Sequence, residues 1–187
     1  MKKFVLLFLF FPILISAQHF KLGFDTELSY IRVNNAKGDN SHGVGYESFI
    51  PITFNLITGY NFNKKFSMQA HIGKTFIAVE FSGFEIGLNG VYNLDKSFYT
   101  SAGVLHHSNE GGSVSMSHGV TFASLFMLTA GIGYRTSKHF ALEINYYHPT
   151  NKKLLYYYNP MYLTEGADTR SFFDYMLRLN FVFSWDF

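Results

Sequence analysis

The sequence of 187 residues contains no cysteine. This absence excludes a disulfide framework and any metal site built on thiolates. Lysine and arginine number 15 against 13 aspartate and glutamate residues, so neither charge is in strong excess. A chain with this balance lacks the basic surface with which proteins bind nucleic acid, and we expect no nucleic-acid partner.

Long apolar runs are also missing, except at the N-terminus. Two lysines precede an apolar run from Phe4 to Ile15, and small residues follow up to Ala17. This layout is typical of a secretory signal peptide, because the run is shorter than the ~20 residues that a membrane-spanning helix needs. The sequence therefore predicts a signal peptide at 1–17 and one exported domain at 18–187.

Aromatic residues are abundant instead, with 22 Phe and 13 Tyr. An exported domain without disulfides needs apolar surroundings for so many rings. Apolar and polar residues alternate repeatedly, for example over 20–30 and 175–187, which indicates β-strands. The apolar faces carry aromatic residues at their ends, as the girdles of membrane barrels do.

The alternation predicts eight strands, near 19–33, 47–62, 66–81, 84–95, 98–109, 118–136, 139–150 and 169–187. Connections after the second, fourth and sixth strands are short, and those after the first, fifth and seventh are long and polar. The third strand is followed by Ser82-Gly83 alone, as an exception. Short turns on one side and long loops on the other are typical of outer-membrane barrels, with both chain ends in the periplasm. Since an open sheet edge does not survive in lipid, the predicted fold class is all-β, an eight-stranded antiparallel transmembrane β-barrel of the bacterial outer membrane.

The interior of so small a barrel is filled by side chains rather than by an open pore. Inward-facing charges should pair, because an unpaired charge in a dry lumen is costly. Glu143 and Arg178, on neighbouring strands, are one predicted pair. The residues predicted to face inward are Lys21, Asp25, Glu27, Gln69, His71, Asn89, Glu143 and Arg178.

The chain ends in Phe187 after alternating apolar positions. This ending resembles the assembly signal of bacterial outer-membrane proteins and implies the barrel-assembly machinery as a partner. The eight histidines are scattered without metal-ligand spacing, so we predict no metal site.

One polar cluster lies at the predicted outer end of the fifth strand, at the membrane boundary. Alternation places His106, Ser108 and Glu110 on one face, which apolar neighbours predict to look toward lipid. A histidine beside a serine can accept the hydroxyl proton and make the oxygen a nucleophile. A carboxylate would hold the imidazole, and Asn109 could stabilise an oxyanion. By residue type alone, the cluster is more typical of an ordinary polar rim, since polar residues are expected at the outer end of any barrel strand.

Residues 106–109 read His-His-Ser-Asn and resemble the His-x-Ser-Asn motif of lipid A 3-O-deacylases of the PagL type. Residues 117–125 are similar to that family's return into the next strand. The resemblance covers roughly 102–134, together with the signal peptide and the eight-strand plan. In that family the site lies on the outer, lipid-facing surface of the barrel, which agrees with the predicted face.

The resemblance implies hydrolysis of an ester-linked acyl chain of lipid A, or lipopolysaccharide, in the outer leaflet. Ser108 would be the nucleophile, His106 the general base and Asn109 the oxyanion or positioning group. Neither a metal nor a cofactor is implied.

The acidic member of the site is open. The family's acid lies at the start of the next strand, where this chain has Thr121. Glu110, on the face of the motif, and Glu85, on the neighbouring strand, are the two candidates, and we assign Glu110. A second motif, His148-Pro149-Thr150-Asn151, has threonine in place of serine and ranks as a rival site.

A second class of function fits the same sequence. The long polar loops, including 152–170 with its three consecutive tyrosines, are typical of a barrel that makes surface contacts. The alternative is therefore a non-catalytic barrel used for adhesion, surface interaction or envelope integrity.

Overall fold

The computed structural model describes residues 19–35, 48–76, 81–110, 119–158 and 170–187. The strands in these ranges are β1 (Phe20–Asn35), β2 (Ser48–Phe49), β3 (Ile52–Asn61), β4 (Phe66–Phe76), β5 (Gly83–Asn93), β6 (Phe98–Asn109), β7 (Gly119–Phe122), β8 (Leu125–Arg135), β9 (Phe140–Pro149), β10 (Lys153–Tyr158) and β11 (Arg170–Asp186). Within the same ranges, no helix has the length and apolarity needed to cross a membrane.

Eight of these strands form a closed antiparallel barrel in the order β1, β3, β4, β5, β6, β8, β9 and β11. The last strand pairs back onto the first, from Lys21 opposite Asp186 to Asn35 opposite Ser171. This closure satisfies the backbone hydrogen-bonding groups that lipid could not satisfy. The predicted fold class is confirmed.

Two predicted strands are each divided in the structure. Ile50 and Pro51 separate β2 from β3, because proline has no N–H to donate to a ladder. The Pro51 carbonyl still accepts a hydrogen bond of 3.0 Å from the backbone N–H of Ser29, so the wall continues. A two-residue break likewise divides predicted strand 118–136 into β7 and β8.

The outer part of the wall differs most from the sequence prediction. The stretch 152–170 was expected to be a loop, but β10 lies within it and pairs with both β7 and β11. The segment has no apolar-polar alternation, so its pattern does not reveal a strand. The strand predicted at 66–81 is described as β4 from Phe66 to Phe76, its part at 77–80 lies outside the described residues, and β5 begins at Gly83.

Outward-facing side chains form an apolar band around the barrel. Its middle is aliphatic, with Leu56, Ile72, Leu88, Ile144 and Leu179 exposed. Exposed aromatic side chains lie toward both ends, among them Tyr30, Phe76, Phe84, Phe126 and Tyr146 at the outer end and Tyr60, Phe62, Phe66, Tyr92, Tyr134 and Trp185 at the turn end. A band of this kind is what a membrane-spanning barrel presents to lipid.

Side chains fill the lumen, in layers. An apolar layer near the outer end includes Phe81, Leu105, Leu125 and Phe173. A second apolar layer, which includes Val91 and Val182, lies nearer the short turns. Between them lie most of the polar residues predicted to face inward. Asp25, Glu27, Gln69, His71, Glu143 and Arg178 are buried, and Lys21 and Asn89 are half-buried.

Arg178 is the centre of the polar layer. Its guanidinium donates to Glu27 Oε2 at 2.5 Å and to the two carboxylate oxygens of Glu85 at 2.6 and 2.7 Å. All three side chains are almost fully buried. This cluster of one cation and two carboxylates is enclosed and hydrogen-bonded, and it fixes the lumen because removing one member leaves a buried charge without its partner.

The predicted pair of Glu143 with Arg178 is wrong. Glu143 instead accepts hydrogen bonds from the Tyr99 hydroxyl at 2.5 Å and from Asn145 Nδ2 at 3.0 Å. In the β9–β11 ladder Arg178 lies opposite Asn145, so Glu143 is two positions nearer the short turns. The long arginine side chain therefore reaches across the lumen rather than along the wall.

Candidate functional site

The predicted site lies at the outer end of β6, as expected. His106 pairs with Ile86 of β5 and Phe126 of β8, and Ser108 pairs with Phe84. His106 is exposed on the outer face of the wall, whereas His107 has no exposed surface. The alternation that assigned the faces is confirmed at these positions.

His106 and Ser108 share the lipid-facing side of the strand. Two residues of a strand span about 7 Å between Cα atoms, so their side chains are neighbours on one surface. Ser108 is half-buried, and apolar side chains of the band flank the two residues. Within the described part of the chain, neither side chain forms a hydrogen bond in this arrangement.

The assigned acid, Glu110, has another partner. Its Oε2 lies 2.9 Å from the Lys74 ammonium, and both side chains are about half exposed. Glu110 is four residues from His106, which on an extended strand is about 13 Å, with Ser108 between them. The structure therefore brings His106 and Ser108 onto one face but does not bring a carboxylate to the imidazole.

The oxyanion candidate, Asn109, is half-buried at the end of β6 and pairs with Gly83 of β5. It lies next to Ser108 on the opposite face, as the alternation predicted. The side chain of Thr121, at the position of the family's acid, lies outside the described residues.

The alternative acid, Glu85, faces the lumen. Besides Arg178, it binds His107, whose Nδ1 lies 2.8 Å from Glu85 Oε1. The wall of the barrel separates this carboxylate from His106. Glu85 is therefore not the acid of a site on the lipid face.

The role of His107 was not predicted from the sequence. Its ring stacks on Phe81 with centroids 3.8 Å apart and an interplanar angle of 2°. Together with the bond to Glu85, this contact joins the outer apolar layer to the charged layer. The alternation predicts the face on which His107 lies, but it does not predict the partners of His107, because they come from segments distant in sequence.

The rival site on β9 uses its hydroxyl for the fold. Thr150 Oγ1 and the Thr150 backbone N–H both donate to the carbonyl of Phe126, at 2.9 and 2.8 Å. Asn151 Nδ2 donates to the carbonyl of Ser124 at 3.1 Å. His148 is exposed, with Nδ1 3.5 Å from the Tyr146 hydroxyl. The Thr150 hydroxyl is thus engaged at the end of the β8–β9 pair.

The described residues hold no cluster of three or more histidine and carboxylate side chains placed to bind a metal ion.

Comparisons with known proteins bear on the fold. No protein-family model matches the sequence, and a search of curated proteins finds no match. Among solved structures, the outer membrane protein OprG from Pseudomonas aeruginosa is similar, with a TM-score of 0.51 and 13% identity over 91% of this chain and 98% of OprG. Neisserial surface protein A gives 0.49 and 15% over 90% and 97%, and Ail of Yersinia pestis gives 0.47 and 15% over 89% and 99%.

The likeness to OprG identifies the architecture as that of a small outer-membrane barrel. The closed wall and the apolar band agree with this assignment. The chain is an integral β-barrel of the bacterial outer membrane.

Proposed function

We propose that the protein is an outer-membrane esterase that hydrolyses an ester-linked acyl chain of lipid A. The observation that supports it best is that the exposed His106 and the half-buried Ser108 lie on the same, lipid-facing side of β6, at its outer end. An acyl ester of the outer leaflet meets the barrel wall at this depth. A soluble substrate would not require the residues to face lipid.

The reaction proceeds in two steps. His106 takes the hydroxyl proton of Ser108 while the serine oxygen attacks the ester carbonyl carbon. The bond to the sugar oxygen breaks, that oxygen receives the proton from His106, and the acyl chain stays on Ser108. Water, deprotonated by His106, then releases the fatty acid and restores the serine. Asn109 lies on the opposite face of β6 from Ser108, so we assign it a positioning role at the end of the strand and not that of donor to the oxyanion.

No carboxylate among the described residues orients His106, and this determines the turnover rate that we expect. Glu110 is bound to Lys74 and lies about 13 Å along the strand from His106, so it can orient the imidazole only after it leaves Lys74 and the chain beyond Asn109 shifts toward His106. Without an orienting carboxylate, a serine-histidine pair retains a small part of the catalytic power, since loss of that group costs about 10⁴ in kcat in the serine proteases. We therefore expect slow turnover.

The second candidate is a non-catalytic barrel for adhesion, surface interaction or envelope integrity. The Lys74–Glu110 ion pair favours it, because it gives Glu110 an ordinary role on the surface. The extension of the wall by β7, β10 and the start of β11 also favours it, since it adds a sheet surface outside the membrane.

Mass spectrometry of lipid A distinguishes the two. Cells that produce the wild-type barrel should contain lipid A that lacks one acyl chain. Cells that produce Ser108→Ala at the same level should contain the unmodified lipid. An unchanged acyl pattern with folded wild-type protein in the membrane would leave the non-catalytic barrel as the function.

A further inference from the structure

Three turns join neighbouring barrel strands at the end predicted to face the periplasm, and they share one hydrogen-bonding pattern. In each, a polar side chain accepts hydrogen bonds from the backbone N–H groups two and three residues later. The bonds measure 2.8 and 2.9 Å for Asn63, 2.6 and 2.7 Å for Asp95, and 3.3 and 3.1 Å for Ser137. The next residue is a lysine each time: Lys64, Lys96 and Lys138.

These three lysines line one recess with Arg135, which projects from the end of β8. The recess measures about 730 Å³. A neighbouring recess of about 540 Å³ shares Lys64 and Arg135 and adds Lys21. We call Lys64, Lys96, Lys138 and Arg135 the basic mouth.

The positive charge of the basic mouth is not neutralised by ion pairs with the described residues. Among the described residues, none of its four cations forms a salt bridge. The partners of Arg135 are neutral: its Nη2 donates to Asn93 Oδ1 at 2.7 Å, and its guanidinium lies 4.3 Å from the centre of the Tyr99 ring.

Two carboxylates also line the larger recess, and both have other contacts. Asp95 closes its own turn with Oδ1, and Asp186 Oδ1 accepts a bond of 3.2 Å from Asn61 Nδ2. The cations outnumber them, so the recess has a net positive charge. A concave positive site concentrates anions from the adjoining solution.

We propose that the basic mouth binds an acidic peptide segment presented from the periplasm. Four cations on three turns and one strand end call for several negative charges along one chain rather than a single anion. The lysine ammonium groups are flexible point charges that suit the carboxylates of a pliable peptide, and Arg135 offers a planar pair of donors to one of them.

The position of the basic mouth favours a peptide over a lipid headgroup. Asn93 and Arg135 are half-buried at the mouth of the lumen, away from the apolar band. Further up the lumen, the Arg178 layer and the outer apolar layer fill the space. A ligand that enters from the periplasm therefore ends at the mouth and does not pass through the barrel.

Fluorescence anisotropy of a labelled octaglutamate peptide tests the proposal. The full barrel is placed in nanodiscs of zwitterionic phosphatidylcholine, and binding is measured at rising salt. We expect binding that weakens with salt. The triple variant Lys64→Gln, Lys96→Gln, Lys138→Gln should bind at least ten-fold more weakly. The matching triple change to arginine should retain binding, and Lys74→Gln with Lys152→Gln, at the outer end, should leave it unchanged.

Several results would overturn the proposal or change the location or the ligand that it assigns. Absence of binding at low salt, or equal binding of an octaglutamine peptide, would overturn the proposal. Equal loss in the outer-end variant would overturn the location. Displacement by inorganic phosphate at the peptide's own concentration would reassign the site to phosphate. Displacement of the peptide by soluble short-chain phosphatidylglycerol at the peptide's own concentration, in the same zwitterionic nanodiscs, would reassign it to lipid headgroups.

Discussion

His106 and His107 are adjacent in the chain and lie on opposite sides of the barrel wall. His106 is exposed on the lipid side of β6. His107 is fully buried, bonded to Glu85 at 2.8 Å and stacked on Phe81. One peptide step separates a side chain available to a lipid substrate from one that belongs to the interior. The two residues therefore form a matched pair for separating catalysis from stability.

His107→Leu should lower the free energy of unfolding by about 1–3 kcal/mol, because it removes a hydrogen bond to the buried Glu85 carboxylate. His106→Ala, on the lipid face, should change it by less than about 0.5 kcal/mol. Urea unfolding in lipid vesicles, followed by the fluorescence of Trp185, measures both. Equal losses for the two variants would contradict the assignment of faces.

Among the side chains of the lumen, Arg178 should contribute most to the free energy of unfolding. Arg178→Met leaves Glu27 and Glu85 buried without their cation, and we expect a loss of about 3–5 kcal/mol in the free energy of unfolding. Adding Glu27→Gln and Glu85→Gln to that variant should recover part of the loss. Lys152→Gln is the control, since its exposed pair with Asp174, at 3.9 Å, contributes only about 0–1 kcal/mol. A loss for Arg178→Met as small as the control's would refute the central role of Arg178.

The Lys74–Glu110 pair distinguishes a catalytic from a surface role of Glu110. Because both side chains are exposed, Glu110→Gln should change the stability by less than about 1 kcal/mol. If Glu110 supplies the acid, the same change should lower the esterase rate, and Lys74→Gln, which frees the carboxylate, should raise it. Initial rates of fatty acid release test this. Rates unchanged in both variants would remove Glu110 from the site.

The stability of the turn at Asp95 should depend on pH, unlike that of the turns at Asn63 and Ser137, whose side chains do not ionise. Backbone N–H groups of Phe98 and Ser97 hold the pKa of the Asp95 carboxyl below its ordinary value of 3.8. A lowered folded-state pKa adds stability above pH 3.8, and that contribution is lost as the pH falls through the folded value. Asp95→Asn, which copies the Asn63 turn, should be less stable than wild type at pH 7, and the difference should vanish in acid. Urea midpoints that differ equally at both pH values would contradict this.

The faces of the strands could be predicted from the sequence because alternation is local. The pattern placed His106 and Ser108 outward, and the buried Asp25 and Glu27 inward, as the structure has them. The strand count and the short turns follow from the same period and from the turn residues.

The partners of those side chains could not be predicted. Arg178 contacts Glu85 across the lumen, and Lys74 binds Glu110 past β5, so both contacts depend on barrel closure and register. For the same reason, the expected pair of Glu143 with Arg178 was wrong. The β10 strand was missed because its pairing with β7 and β11, rather than its own sequence pattern, makes it a strand.

The central claim is that Ser108 carries an esterase reaction on the lipid face. Purified barrel in bilayers that contain lipopolysaccharide measures it most directly, with released fatty acid quantified by mass spectrometry. We expect slow release by the wild type and by His107→Leu where the latter is folded, and none by Ser108→Ala or His106→Ala. Absence of release by the folded wild type, or undiminished release by Ser108→Ala, would contradict the claim.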